Sequence, residues 1–403
     1  MKNTSSINMN QLLQAFNTRQ PITGLTHQYY KYPAMFSPLF TREIIKIFSE
    51  PGDTILDPFM GSGTVLVEAK SLSRHSVGVD ISSLATFISN VKTTTYKEHE
   101  LQEVISWFAN IIPKMNCHAS HTRPKKWIEA GYLKNMNSLE IWRIRKLIEI
   151  ALNSVEYIKN KRKENLIRCI ILKTSQWALD TKRQIPSANE FRKKLLENSI
   201  FITSQASKFS EIIKKNKSLY DIKSKIKSYC SNRSAKGLEN EKTLHSFFPP
   251  KLIITSPPYP GVHIIYHRWQ INSRKETPAP FWIANCNDGM GESVYTMGYR
   301  NQKNLKDYFD NIQNTFISLS KICDNTTLVV QLIAFSNPSW QLPKYLATME
   351  CSGFKETNII YSFNSSDKRL WRKVPNRKWY TTQNREMNSS KEVVLFHKLS
   401  KIN

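Results

Sequence analysis

Residues 51–69 read Pro51-Gly52-Asp53-Thr54-Ile55-Leu56-Asp57-Pro58-Phe59-Met60-Gly61-Ser62-Gly63-Thr64-Val65-Leu66-Val67-Glu68-Ala69. The short apolar run Thr54-Ile55-Leu56 predicts a buried strand. Gly61 and Gly63 predict a tight turn, and Thr64 to Lys70 opens a helix. A strand, a glycine loop and a helix in that order form a nucleotide-binding arrangement. The ligand can be narrowed. No Gly-Lys-Ser/Thr follows, so no lysine is set for a triphosphate. Leu66 stands where a dinucleotide fingerprint needs its third glycine. Asp57 at the strand's end would repel a pyrophosphate and attract a cation. S-adenosylmethionine, with an ammonium, a sulfonium and no phosphate, fits that charge. A second strand-like run, Ser76-Val77-Gly78-Val79, ends in Asp80, 17 residues past Gly63. That is near the ~20-residue distance at which a second-strand carboxylate takes ribose hydroxyls.

A second stretch carries the chemistry. The apolar run Lys251-Leu252-Ile253-Ile254 leads into Thr255-Ser256-Pro257-Pro258-Tyr259. Two prolines fix φ and remove two donors, which leaves their carbonyls facing outward on a stiff shelf. Such a shelf suits a planar base with an exocyclic amine. Ser256 Oγ and the Pro257 carbonyl can accept the amine's hydrogens, and Tyr259 can lie on the ring. Pro-Pro is also ordinary turn punctuation, and it is the cofactor loop upstream that favours the functional reading.

With both elements in one chain, the sequence resembles the amino-methylating DNA methyltransferases, which modify N4 of cytosine or N6 of adenine. Asp57 to Thr64 is similar to that family's cofactor motif, and Thr255 to Tyr259 to its catalytic motif. Lys31-Tyr32-Pro33-Ala34-Met35-Phe36 resembles the segment that closes over the cofactor's methionine end. Pro375-Asn376-Arg377-Lys378-Trp379-Tyr380 and Glu392-Val393-Val394-Leu395-Phe396-His397 resemble its last core elements. The resemblance covers residues 27–95 and 245–400. It implies a cofactor site of Tyr32, Pro33, Asp57, Phe59, Gly61, Gly63, Thr64 and Asp80, and a catalytic site of Ser256, Pro257, Pro258 and Tyr259. A third-strand carboxylate for the cofactor's adenine amine has no clear place. Glu239 and Glu241 are candidates, and both are equally read as solvated loop charges.

The implied chemistry needs few groups. The lone pair of an aromatic amine is delocalised into its ring. Hydrogen bonds accepted by Ser256 and the Pro257 carbonyl would push the nitrogen toward a tetrahedral geometry for in-line attack on the sulfonium methyl, with positioning and electrostatics supplying most of the help. Reaching Tyr259 requires the base to leave the duplex. Ser at the first motif position tilts the reading to N4-cytosine, with N6-adenine as the alternative. Methylation at C5 would need a Pro-Cys nucleophile. The six cysteines follow Asn116, Arg168, Tyr229, Asn285, Ile322 and Glu350, so C5 chemistry is rejected. An RNA amino-methyltransferase and a non-catalytic DNA-binding subunit are the competing functions. The intact Asp57, Gly61, Gly63, Ser256 and Tyr259 argue against the latter. The resemblance further implies duplex DNA as partner and a restriction–modification setting, with a cognate restriction endonuclease acting separately.

The rest of the chain agrees. A net charge of +26 over 403 residues is costly in self-repulsion without a polyanionic partner. Scattered cysteines without a Cys-x-x-Cys pair fit a reducing, cytoplasmic setting. The polar Met1–Asn10 stretch predicts no signal peptide, and no apolar run is long enough to predict a membrane span. Roughly 30 Lys/Arg face about 15 Asp/Glu between residues 97 and 245. Ile141, Ile144, Leu147, Ile148 and Ala151 recur at helical spacing there, as do Leu166, Ile167, Ile170, Ile171 and Trp177.

The expected fold is α/β: a Rossmann-like class I methyltransferase with a mostly parallel sheet, helices on both faces and an inserted helical region. Core strands are expected at 54–56, 76–79, 251–254, 327–333 and 393–397. The expected division is a cofactor half at 27–95, a basic helical insertion at 96–245 that could serve target recognition, and a catalytic half at 246–403. Lysines 223, 225 and 227 fall in a run that could track a phosphate backbone or form a solvated face. His263, His267, Arg268, Arg274 and Lys275, with Arg377 and Lys378, are the expected nucleic-acid contacts, since they mix aromatics and base-rich stretches near the shelf. Cys117, His118 and His121 cluster without a fourth ligand, so no metal is expected. His263 and His267 are spaced as a helical metal pair, but Ile264 stands where a zinc protease needs Glu.

Overall fold

A computed structural model describes residues 9–18, 23–32, 35–261, 268–271, 275–288, 297–298, 303–358, 367–373 and 391–400. Its centre is β1 (Thr54–Asp57), whose apolar run is covered on both faces, as parallel strands require. β1 pairs in parallel with β2 (His75–Asp80) on one side and with β4 (Leu252–Thr255) on the other. Outside β2 lies β3 (Ser228–Asn232), also parallel. Beyond β4 the sheet continues through β7 (Leu328–Ala334), every residue of which is buried. β10 (Lys391–Leu399) then runs antiparallel to β7, and β8 (Phe354–Glu356) and β9 (Leu370–Lys373) pair with β10. The order is β3-β2-β1-β4-β7-β10-β8. All five strands expected from the sequence lie in this sheet.

Helices cover both faces. On one, α1 (Met9–Asn17), α2 (Pro38–Phe48) and α3 (Thr64–Ser71) bury Phe40, Ile44 and Leu66 against Val330 and Leu332. On the other, α11 (Lys306–Ser320) and α12 (Pro338–Cys351) bury Phe316 and Tyr345 against Ile333 and Leu395. The two neighbours of β1 lead away in opposite directions. Their carboxyl ends therefore flank a topological switch point, where open α/β sheets bind ligands.

A helical body has a core of its own. α5 (Glu98–Ile111), α7 (Trp142–Val155), α8 (Lys161–Leu179) and α9 (Ala188–Leu219) pack together, with the short α6 (Lys125–Glu129) beside them. Every residue of the two helical-spacing sets is buried except Trp177, which is half-buried. Asn160 caps α8, and Ser187 with Glu190 forms a capping box on α9. α4 (Ser83–Thr93) joins this core to the sheet.

Two features depart from expectation. β3 lies inside the span expected to be helical and belongs to the sheet. As a half-buried edge strand, Ser228-Tyr229-Cys230-Ser231-Asn232 carries no continuous apolar run to reveal it. The second concerns the chain after the Pro-Pro shelf. It forms a hairpin of β5 (Trp269–Ile271) and β6 (Lys275–Thr277), then α10 (Ala279–Ala284), and Trp269, Phe281, Trp282 and Ile283 sit in the helical body's core. No helix among the described residues is long and apolar enough to cross a membrane.

Candidate active site

The cofactor loop is held from three sides. Gly61 and Gly63 adopt positive φ of 45° and 74°. A Cβ on Gly63 would lie 2.6 Å from Ser89 Oγ on α4, so the turn can approach that helix only as glycine. Ser89 donates to the Gly61 carbonyl at 3.0 Å, and the buried Lys92 ammonium donates to the Ser62 carbonyl at 3.1 Å. Burial lowers the Lys92 pKa to about 7. Thr64, also buried, is the first residue of α3.

Both strand-end carboxylates shape the loop. Asp57 is buried, and its Oδ1 accepts the Phe59 amide at 3.1 Å and the Thr255 hydroxyl at 2.8 Å. Burial, only partly offset by those bonds, pushes its carboxyl up to about 7. Asp80 accepts the Gly61 amide at 2.9 Å through Oδ2 and the Ser82 amide at 2.8 Å through Oδ1. Burial raises it to about 6. The Tyr32 ring lies beside the loop, with Cε1 3.5 Å from where a Gly61 Cβ would stand. The backbone of Lys31 is clamped by Gln176 of α8, which accepts its amide at 3.0 Å and donates to its carbonyl at 2.9 Å. The helical body thus fixes the segment carrying Tyr32. Phe59 packs in the same cluster as Tyr259. Two strand-end carboxylates at this loop, with the nearby Lys92 bonded to the Ser62 carbonyl, fit the ammonium and sulfonium of S-adenosylmethionine better than a phosphate.

The catalytic shelf starts where β4 ends. Ser256 is half-buried, and its hydroxyl has no hydrogen-bond partner among the described residues, whereas Pro257 is buried. The Pro258 carbonyl is taken by the Tyr308 hydroxyl at 2.9 Å. Tyr259 is only 9 % exposed, so little of its ring meets solvent in this state. Its hydroxyl donates to Glu392 Oε1 at 2.8 Å, and Arg372 Nε donates to Glu392 Oε2 at 2.7 Å. Arg372 in turn donates to the Phe16 carbonyl at 2.6 Å and lies over the Phe16 ring. No role beside the shelf was read from the sequence for Tyr308, Glu392 or Arg372; Arg372 was read only as part of a basic run that could contact DNA, and Glu392 only as the first residue of a core strand. The one available signal was an acid opening the apolar run Val393 to Phe396.

The structure separates the other candidates. Glu239 pairs with Lys321 at 2.7 Å and Glu241 with Arg233 at 2.8 Å, so neither is poised as a third-strand carboxylate. At the end of β3, opposite Asp80, stands Asn232. Its amide nitrogen donates to the carbonyls of Asp80 and Ile81 at 3.1 and 2.9 Å. An amide oxygen there can accept an adenine amine as a carboxylate would. Arg268 forms an ion pair with Asp288 at 2.9 Å, both largely buried, so it anchors the hairpin instead of projecting toward DNA. Lys275 is exposed. Pro33, His263, His267, Arg274, Arg377 and Lys378 lie outside the described residues. His121 pairs with Glu149, and Cys117 is buried in the helical core.

A sheet of this order, with one antiparallel strand beside the last parallel one and a glycine loop at the switch point, is the arrangement of the class I methyltransferase fold, whose methyl donor is S-adenosylmethionine. Residues 4–90 match the model of a family described as DNA methylase. The type II methyltransferase M.MvaI of Kocuria varians is 39 % identical over 100 residues, 24 % of this chain and 22 % of that protein. M.MjaII of Methanocaldococcus jannaschii is 35 % identical over 83 residues, 21 % of this chain and 16 % of its own. M.BsoBI of Geobacillus stearothermophilus is 25 % identical over 255 residues, 58 % of this chain and 49 % of its own. The chain thus spans half or less of the length of these relatives. The rRNA methyltransferase aviRa from Streptomyces viridochromogenes aligns over 98 % of this chain and 95 % of its own, at 8 % identity and a TM-score of 0.35. That likeness is too distant to bear on fold or substrate.

Proposed function

We propose that this chain transfers a methyl group from S-adenosylmethionine to the exocyclic N4 amine of cytosine in duplex DNA, in a restriction–modification system beside a separately acting endonuclease. The observation that carries this reading is the 2.8 Å bond from the Thr255 hydroxyl to Asp57. It ties the last residue of the cofactor strand to the last residue of the catalytic strand, so that the methyl donor's loop and the amine's shelf open side by side. Ser256 Oγ and the Pro257 carbonyl are the acceptors still available on that shelf, since the Pro258 carbonyl is occupied. Their hydrogen bonds would localise the amine's lone pair for attack on the sulfonium methyl. Tyr259 would hold the flipped base. Similarity to proteins named type II methyltransferases supports the restriction–modification reading, and Ser256 at the motif's first position favours cytosine.

N6-adenine is the second reading, because the same two acceptors serve an adenine amine. The test is transfer of labelled methyl to duplex DNA, followed by digestion and chromatography of the nucleosides. N4-methylcytosine is the expected product. N6-methyladenine would select the second reading, whereas 5-methylcytosine, or label only in RNA, would overturn both.

A further inference from the structure

We propose that the groove between the hairpin β5–β6, the start of α7 and the connection from α8 to α9 is the docking surface for the phosphate backbone of duplex DNA. The proposal rests on the DNA-methylating reading and assigns that reading a surface. The groove has a volume of ≈ 1560 Å³, above the ~300–1,000 Å³ of small-ligand pockets. It is therefore sized for a macromolecule. Arg143, Lys182, Arg183 and Lys275 line it and are all exposed. None of the four enters an ion pair among the described residues. Arg143 and Lys182 rest instead on the Trp142 and Trp177 rings, at 5.0 and 5.7 Å, which aligns the cations and leaves their hydrogen-bond donors for an anion.

Glu140 and Glu190 also line the groove. Glu190 is occupied by the capping box of α9, where it accepts the Ser187 amide at 2.7 Å, so the four cations outweigh the acids.

Position supports the same occupant. The hairpin is pinned to the helical body, with the Thr181 amide donating to the Gln270 carbonyl at 2.7 Å and Asn135 to the Glu276 carbonyl at 2.8 Å. It begins ten residues after Tyr259. At ~3.3–3.6 Å per residue, Trp269 lies within about 36 Å of Tyr259, roughly one turn of B-DNA. That bound is compatible with a duplex in the groove presenting a flipped base to the shelf. Lys223, Lys225 and Lys227 are placed less favourably. They precede β3, and the Lys227 backbone bonds to His75 and Ser76 at the amino end of β2. That is the end of the sheet opposite the cofactor and catalytic loops.

The test compares wild type with a full-length variant carrying Arg143→Gln, Lys182→Gln, Arg183→Gln and Lys275→Gln. Duplex DNA and duplex RNA of equal length are titrated by fluorescence anisotropy across a salt series, and S-adenosylmethionine binding is measured by calorimetry. With ~0.9 counterions released per neutralised phosphate, the slope of log K against log salt should flatten by about 3–4. Affinity for DNA at low salt should fall at least tenfold, with cofactor binding unchanged. The triple variant Lys223→Gln, Lys225→Gln, Lys227→Gln should keep the wild-type slope. An unchanged slope in the quadruple variant, or an equal loss in the triple one, overturns the groove. Loss of RNA binding with DNA binding intact would assign the groove to RNA and also overturn it. A wild type that binds cofactor but no duplex DNA would instead overturn the proposed function, and the groove with it.

Discussion

The residue with the most consequence is Tyr259, because the structure gives its hydroxyl a partner that the proposed base-stacking role does not require. The Tyr259–Glu392–Arg372 chain holds the ring through β10 and β9, strands that follow the shelf by more than a hundred residues. Stacking on a base is worth ~1–3 kcal/mol, so Tyr259→Ala should lower turnover roughly 10- to 100-fold or more while leaving cofactor binding intact. Tyr259→Phe keeps the face and loses only the anchor, and Glu392→Gln keeps one acceptor oxygen, for Arg372, while its amide NH2 can donate to the Tyr259 hydroxyl. Each should cost less than about tenfold in kcat, with Tm nearly unchanged in Tyr259→Phe and lowered in Glu392→Gln, which leaves the Arg372 charge unpaired. Steady-state kinetics on duplex DNA decide this: wild-type kcat in Tyr259→Ala would mean that another residue holds the base. Asp57 offers a separate test through pH. Its folded pKa of about 7 lies above its ordinary 3.8, so the folded state binds the proton more tightly than the unfolded one. The corresponding stability is fully present below about pH 4 and is lost as pH rises to about 7. Over that window wild type should lose stability relative to Asp57→Asn, as read from denaturant midpoints at each pH. Parallel curves for the two proteins would show that Asp57 is ionised in the fold throughout.

At the level of elements, what the sequence discloses depends on whether an element's partners are local. β1, β4 and β10 contain continuous apolar runs, and β2 and β7 runs broken only by Gly78 and Gln331, because both faces of a central sheet are buried, and such runs can be read without knowing the neighbours. The glycine loop is equally legible, since Gly61 and Gly63 answer a local need for positive φ. The helical periodicity of α7 and α8 likewise reflects each helix's own buried face. β3 shows the opposite case: on an edge, half-buried, its polar sequence reads as a linker. The partners of Glu239, Glu241 and Arg268 lie 82, 8 and 20 residues away, and a side chain's charge alone does not disclose which ion it meets. The candidate site follows the same rule. Its two loops were legible as motifs, each being a local backbone solution. Glu392, Arg372, Tyr308 and Asn232 were not, because only the sheet's register brings them to those loops.

Across the whole molecule, the helical body and the catalytic half are interlocked. Trp269, Phe281, Trp282 and Ile283 come after the shelf in sequence but are at most 3 % exposed within the helical core. Arg168 of α8 donates to the Ile283 carbonyl at 3.2 Å, and Tyr132 accepts the Asp288 amide at 2.7 Å. The same body clamps the Tyr32 segment through Gln176. Removing residues 97–225 would therefore leave a methyltransferase sheet with two tryptophans, a phenylalanine and an isoleucine facing water. At ~1.5–3 kcal/mol for each large apolar side chain, the loss is about 6–12 kcal/mol, comparable to the ~5–15 kcal/mol by which whole domains are stable. The deletion variant should accordingly fail to fold, whereas the full chain should unfold in a single transition that S-adenosylmethionine shifts upward as one unit. Differential scanning calorimetry on both proteins tests this. A deletion variant that melts cooperatively and still binds S-adenosylmethionine would show that the helical body is a separable appendage, and that the contacts from 268–288 hold it in place without supporting the sheet.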